Sequence, residues 1–202
     1  SGLIGEANDS GNDYAFMMNG YQQAAALAPV IKYDKRYAKE LSKWILNVAN
    51  ASRYYYPQFL DAARQDDYTW SNTYDPASVI GYEALKENWN GNALYGTGDA
   101  KRSGWAQTNL ALYGSSHVGY LGALVNETDV EGILRIDLNK TDFFGQNAYV
   151  SYAYFNPHDQ DQQVTIALDG EHDIYDAISE TIIANDASGD HKISVRAGEV
   201  LV

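Results

Sequence analysis

Cysteine is absent from this chain. That excludes disulfides, thiol nucleophiles and Cys-ligated zinc at once. It leaves the compartment open, because exported bacterial proteins often lack cysteine too. Long apolar runs are also missing. The best candidate, residues 121–125, is far shorter than the roughly 18 residues of a membrane-spanning helix. No secretory signal pattern opens the chain, and Ser1-Gly2 fits a cloning scar, so a signal outside this chain stays open. Positive charge is scarce: 14 Lys and Arg stand against 27 Asp and Glu, a net charge of −13. Nucleic acid is therefore not an expected partner, since binding a phosphate backbone rests on cationic neutralisation.

Most chemical signatures are missing as well. The "GTGD" at Gly96 lacks a third glycine and a preceding strand, so it is no dinucleotide loop. No phosphate-binding Walker pattern occurs. "GSSHV" at Gly114 has Val118 where a nucleophile elbow needs glycine. His117, His158, His172 and His191 show no metal-ligand spacing. "DASGD" at Asp186 starts like a calcium loop but has no acid at the twelfth position and reads as a turn. Neither a metal nor a cofactor is expected.

What the chain has in abundance is aromatic: 17 Tyr and 4 Trp. Each pairs a flat apolar face with a polar edge. Sugar rings offer the complementary C–H faces and hydroxyl edges. The plainer alternative is that the aromatics fill seams between helices.

At 202 residues the chain suits one large domain or two small ones. Asn12 or Asp13 can cap a helix running to about Ala28, with Pro29 as its stop. Small and apolar residues lie nearly all round it, as in a helix buried on most sides. Asp34 can cap a second helix to about Ser52, with Tyr37, Leu41, Trp44, Ile45 and Val48 on one stripe. An inner helix and a half-exposed outer one make an αα-hairpin, expected to pack antiparallel. Residues 76–87 read as a further helix with Asp75 as cap and Pro76 at its first position. "NWNGNALYGTGDAKRSGW" reads as a long aromatic loop, and long loops of this kind are usually functional or disordered. "SSHVGYLGALVN" reads as a helix, and "DVEGILRIDLNKTDFF" as extended. "AYVSYAYFNP" reads as a strand stopped by Asn156-Pro157. In "QQVTIALDG", Val164, Ile166 and Leu168 alternate and Asp169-Gly170 signals a hairpin turn. Short strands follow to Val202. The expected fold class is α+β: helical hairpins over 1–145, then a small antiparallel β-sandwich over 146–202.

Carboxylates are plentiful between the hairpin and the strands. Glycoside cleavage needs two of them, about 5–10 Å apart, flanking the bond. Helix capping explains Asp75, and solvent-facing turns explain most others. Asp99 and Glu83 are the candidate catalytic pair, because Tyr82, Trp89 and Trp105 are close in sequence. Trp89, Trp105 and Tyr82 are the candidate walls of a glycan groove. The alternative is that both tryptophans plug the junction between helices and strands. His117 is either a sugar-hydroxyl ligand or a satisfied core histidine.

The segment "FNPHDQDQQVTIALDGEHDIYDAISETIIA…ISVRAGEVLV" resembles the small β domain that closes many carbohydrate-active enzymes. The segment "NDYAFMMNGYQQAAALAPVIKYDKRYAKELSKWILNVANASRYYYP" is similar to the last hairpin of a six-hairpin, (α/α)6-toroid glycoside hydrolase-like protein of bacteria. "YDPASVIGYEALKENWNG" and "GSSHVGYLGALVNETDVEGILRIDL" look like its closing part. The resemblance spans nearly the whole chain, and none of its motifs is a catalytic signature. It implies the C-terminal portion of a longer polysaccharide-processing protein, incomplete for catalysis by itself, periplasmic or extracellular. A glycan or polysaccharide is the implied partner, with the missing N-terminal part of the same protein. The other class kept open is a non-catalytic carbohydrate-binding or structural module.

Overall fold

The computed structural model describes residues 6–7, 13–66, 68–71, 73, 81–89, 91–99, 117–143, 145 and 149–202. In chain order the elements begin with strands β1 (Glu6–Ala7) and β2 (Asp13–Phe16). Helices α1 (Met17–Leu27), α2 (Val30–Tyr33) and α3 (Ala38–Ser52) follow. Then come strands β3 (Tyr82–Trp89), β4 (Asn92–Asp99), β5 (Val125–Glu127), β6 (Leu134–Asp137) and β7 (Tyr152–Phe155). The last are β8 (Gln162–Asp176), β9 (Thr181–Val195) and β10 (Val200–Leu201). Residues 117–124 are also helical. Helices and antiparallel sheets together make the chain α+β, as expected. It forms two compact units, each of two segments: Ser1–Ala24 with Asn47–Leu121, and Ala25–Leu46 with Gly122–Val202. The units interleave along the sequence instead of dividing once near residue 145.

The first unit holds an antiparallel sheet in the order β1-β2-β3-β4. Residues 13–16, expected as the start of a helix, are strand. Tyr14, Ala15 and Phe16 pair with Lys86, Leu85 and Ala84. Aromatic residues are modest helix formers and good sheet residues, so a waiting partner strand decides the matter. The helix expected over 76–87 is likewise corrected over its described part. Residues 82–87 belong to β3, which pairs with β2 on one side and β4 on the other. Tyr82, Ala84, Leu85 and Lys86 are all buried there. Asp75 and Pro76 lie outside the described residues. Over 88–89 and 91–99 the expected long aromatic loop is instead the end of β3, a turn at Gly91 and β4. Trp89 pairs with Asn92 across a two-residue loop, and Gly91 takes φ +79°. Asn90-Gly91 is a strong short-range hairpin signal, because glycine enters the left-handed region without a Cβ penalty. Tyr21 of α1 meets Tyr55 edge-on with ring centroids 6.0 Å apart. A Cβ placed on Gly20 would sit 3.8 Å from Val48 Cγ1, so α1 and α3 meet there.

The second unit holds an antiparallel sheet in the order β10-β7-β6-β5 and the long hairpin β8-β9. Ile133, Tyr154, Val164, Ile193 and Val195 form their common core. The alternation around Val164 and Ile193 thus has the predicted physical basis: one face apolar and buried. β7 ends at Phe155, where the wholly buried Asn156 takes over. Its Nδ2 donates to Gln160 O and Val195 O, both at 2.9 Å, and its Oδ1 accepts from His158 N at 2.9 Å. Asp169-Gly170, expected as a hairpin turn, is instead an irregularity in mid-strand. β8 runs on to Asp176, and register shifts cluster between Leu168 and Tyr175. Opposite them, Asp186 and Gly189 adopt φ +50° and +62°.

Candidate functional site

The residues singled out in sequence separate into buried anchors and backbone-placed strand positions. Tyr82 is wholly buried, so its ring offers no face to a sugar. Its hydroxyl donates to Gln65 Oε1 at 2.8 Å, and Gln65 Nε2 donates to Leu60 O at 2.6 Å and Pro57 O at 3.2 Å. A Cβ on Gly96 would come within 2.8 Å of both the Tyr82 ring and Leu60 Cδ1, so only glycine fits there. Tyr82 is therefore the packing anchor of the β3-β4 hairpin. His117 is also buried, its Nδ1 3.2 Å from Gln22 Nε2 and its ring 6.2 Å from that of Tyr120. Of its two readings, this geometry fits a core histidine.

The other positions are given by the backbone. Glu83 follows Tyr82 along β3, and Asp99 is the register partner of Tyr82 on β4. Trp89 pairs with Asn92 at the other end of the hairpin, about 23 Å along the strand at the usual rise per residue. The backbone therefore gathers Tyr82, Glu83 and Asp99 and holds Trp89 apart from them. Trp105 lies outside the described residues.

A cleft of about 430 Å³ opens elsewhere, wholly within the second unit. Residues 31–36 form one wall, and Ala177, Ile178 and Glu180 the other. The first wall is short because α2 is a single turn. Asp34 then takes an extended backbone, and its carboxylate accepts from Arg36 N at 3.1 Å, starting a tighter 3-10 turn over Lys35–Tyr37. That is the capping role predicted for Asp34. Lys32 is part of this wall. Its Nζ lies 2.7 Å from Asp142 Oδ2, with both side chains only 9% exposed. The Tyr33 hydroxyl donates to the same carboxylate at 2.5 Å, and Gly145 N donates at 3.0 Å. The opposite wall is a turn organised by Asp176, whose carboxylate accepts from Ile178 N and Ser179 N, both at 3.0 Å. An Asp side chain closing a turn on its own following N–H groups is a common device. Ala177 N also donates to Val202 O at 2.8 Å, fixing the turn to the chain end of β10.

Electrostatically the cleft is balanced. Lys35 Nζ lies 2.5 Å from Glu180 Oε1, and Arg36 Nη2 lies 2.6 Å from Asp34 Oδ2. The hydrogen bond from Arg36 holds the Asp34 carboxyl below the usual range, and that from Lys35 does the same for Glu180. Lys35 is raised in turn by Glu180. Lys32 and then Tyr33 hold the Asp142 carboxyl down, while its acceptance pushes the Tyr33 hydroxyl up. Tyr33 is nonetheless 64% exposed, and Tyr37 is 51% exposed beneath the Arg36 guanidinium. The cleft thus offers paired donors and acceptors beside open aromatic surface. A sequence signal for it exists: "KYDKRY" at Lys32 puts three cations and two tyrosines into six residues of an acidic chain.

Among the described residues, no group of three or more His, Asp or Glu is placed to hold a metal ion, and no helix is long and apolar enough to cross a membrane. No protein-family model, curated protein or solved structure matches this chain.

Proposed function

We propose that this chain is the carbohydrate-engaging portion of a polysaccharide-processing, glycoside hydrolase-like protein. In this reading α1 and α3 are a hairpin of an α/α toroid, and the strands expected over 146–202, joined in their sheet by β5 and β6, are the small sandwich that closes it. The protein acts outside the cytoplasm, where polysaccharides are met. The observation that carries the reading is the cleft between residues 31–36 and 177–180, with paired charges and the exposed Tyr33. Ligand sites commonly set a few polar groups among aromatic surfaces on a rigid scaffold.

At this cleft the reading is binding without cleavage. Glycoside hydrolysis needs one carboxylic acid held protonated by a raised pKa. Asp34 and Glu180 are both pushed the other way by their cations. They can accept hydrogen bonds from hydroxyls but have no proton to give a leaving group. The test is calorimetric titration with a panel of soluble oligosaccharides, using the native chain and Lys35→Ala and Glu180→Gln variants. Exposed ion pairs of this kind contribute little to stability, so both variants should fold. Binding by the native chain, weakened on the order of tenfold in the variants, is the expected result. Equal binding by all three proteins would remove the cleft from the account.

A further inference from the structure

We infer that the cleft selects an uncharged sugar chain over uronate, sulfated or phosphorylated glycans. This rests on the reading that the cleft binds carbohydrate and adds the chemical class. Six charged groups stand at or against the cleft: Lys32, Lys35 and Arg36, and Asp34, Asp142 and Glu180. They close into three pairs at 2.7, 2.5 and 2.6 Å, so their formal charges cancel.

An anionic ligand meets two costs here. Each cation is already neutralised by a carboxylate, so an anion that reaches its remaining N–H donors sits beside the negative charge of Asp34 or Glu180. The surrounding chain, at −13, adds a repelling field. A hydroxyl meets neither cost. The Arg36 guanidinium has five N–H donors, of which Asp34 engages Nε and Nη2 only. Lys35 has three N–H donors, and each carboxylate keeps free lone pairs. Sugar hydroxyls can donate to these carboxylates and accept from these cations with every ion pair intact. Tyr33 supplies the flat face that a pyranose C–H surface needs.

The experiment titrates the native chain with xylohexaose and cellohexaose, and separately with oligogalacturonate and a sulfated heparin oligosaccharide, each at low and high sodium chloride. The expected result is binding of a neutral oligosaccharide with affinity changing less than about twofold with salt, because no counter-charge is screened. The anionic glycans should show no saturable heat. Glu180→Gln should weaken the neutral ligand. Tighter binding of an anionic glycan, falling with salt and lost in Arg36→Ala, would overturn the inference while leaving a carbohydrate cleft in place. No binding by any of the four would overturn the carbohydrate reading together with this one.

Discussion

The Tyr82 hydroxyl donates to the amide oxygen of a Gln65 whose own donors are spent on backbone carbonyls. Tyr82→Phe leaves that buried oxygen without this donor, which costs about 1–3 kcal/mol. A thermal melt should show the loss, and an unchanged melt would mean that the anchor does not hold the hairpin. Gly96→Ala should be similarly costly, about 1–3 kcal/mol, since the new methyl meets the Tyr82 ring and Leu60. Asp142 sets a pH dependence. Its depressed carboxyl contributes stability that is present above the ordinary carboxylate range near 4 and lost as pH falls through the depressed value. Tyr33 acts in the opposite sense: its contribution is complete below about pH 10 and lost as pH rises through its raised value. Melting temperatures followed from neutral pH downward should therefore fall less steeply below about pH 4 in Asp142→Asn than in the native chain. Parallel acid limbs would show that the Lys32–Asp142–Tyr33 contact adds no pH-linked stability. Tyr82 and His117 were picked out in sequence for their chemistry, and both proved buried. A residue's type gives its capacity for hydrogen bonding, and only packing decides whether a ligand or Gln65 receives it.

In α3 the apolar stripe of the sequence is largely the buried face: Trp44, Ile45 and Val48 are buried, while Tyr37 at its start is exposed. Trp44→Ala should cost roughly 3–5 kcal/mol, as large truncations in a core do. Urea denaturation measures this directly, and a midpoint shift within error would place the indole outside the core. Helix α3 was legible because one period of 3.6 runs through 15 residues with a capping Asp34 ahead of it. The strand end at Asn156-Pro157 was legible because proline cannot continue a ladder. β2 and β3 were not legible, since their strand state depends on each other across about 70 residues of chain. The β3-β4 turn carries its own signal in Asn90-Gly91, inside a segment whose glycines and aromatics otherwise point to a loop. Asp169-Gly170 carried the same kind of signal, yet the chain absorbs it as a bulge, because the outer half of the ladder, from His172↔Ala187 to Asp176↔Thr181, still pairs.

For the whole molecule, composition speaks more clearly than motif. The carbohydrate reading proposed above draws on the tyrosine-rich composition of the chain and on the paired charges of the cleft. The cleft itself was only half legible. "KYDKRY" is visible in sequence, but its opposite wall comes from a turn some 140 residues later that Asp176 folds into place. The most direct measurement is an amide-resolved NMR titration of the native chain with xylohexaose and cellohexaose. Saturable shifts should concentrate at residues 31–36 and 177–180 and be reduced in Glu180→Gln. Shifts concentrated instead along β3 and β4, around Glu83, Trp89 and Asp99, or no saturable shift with either sugar, would contradict it.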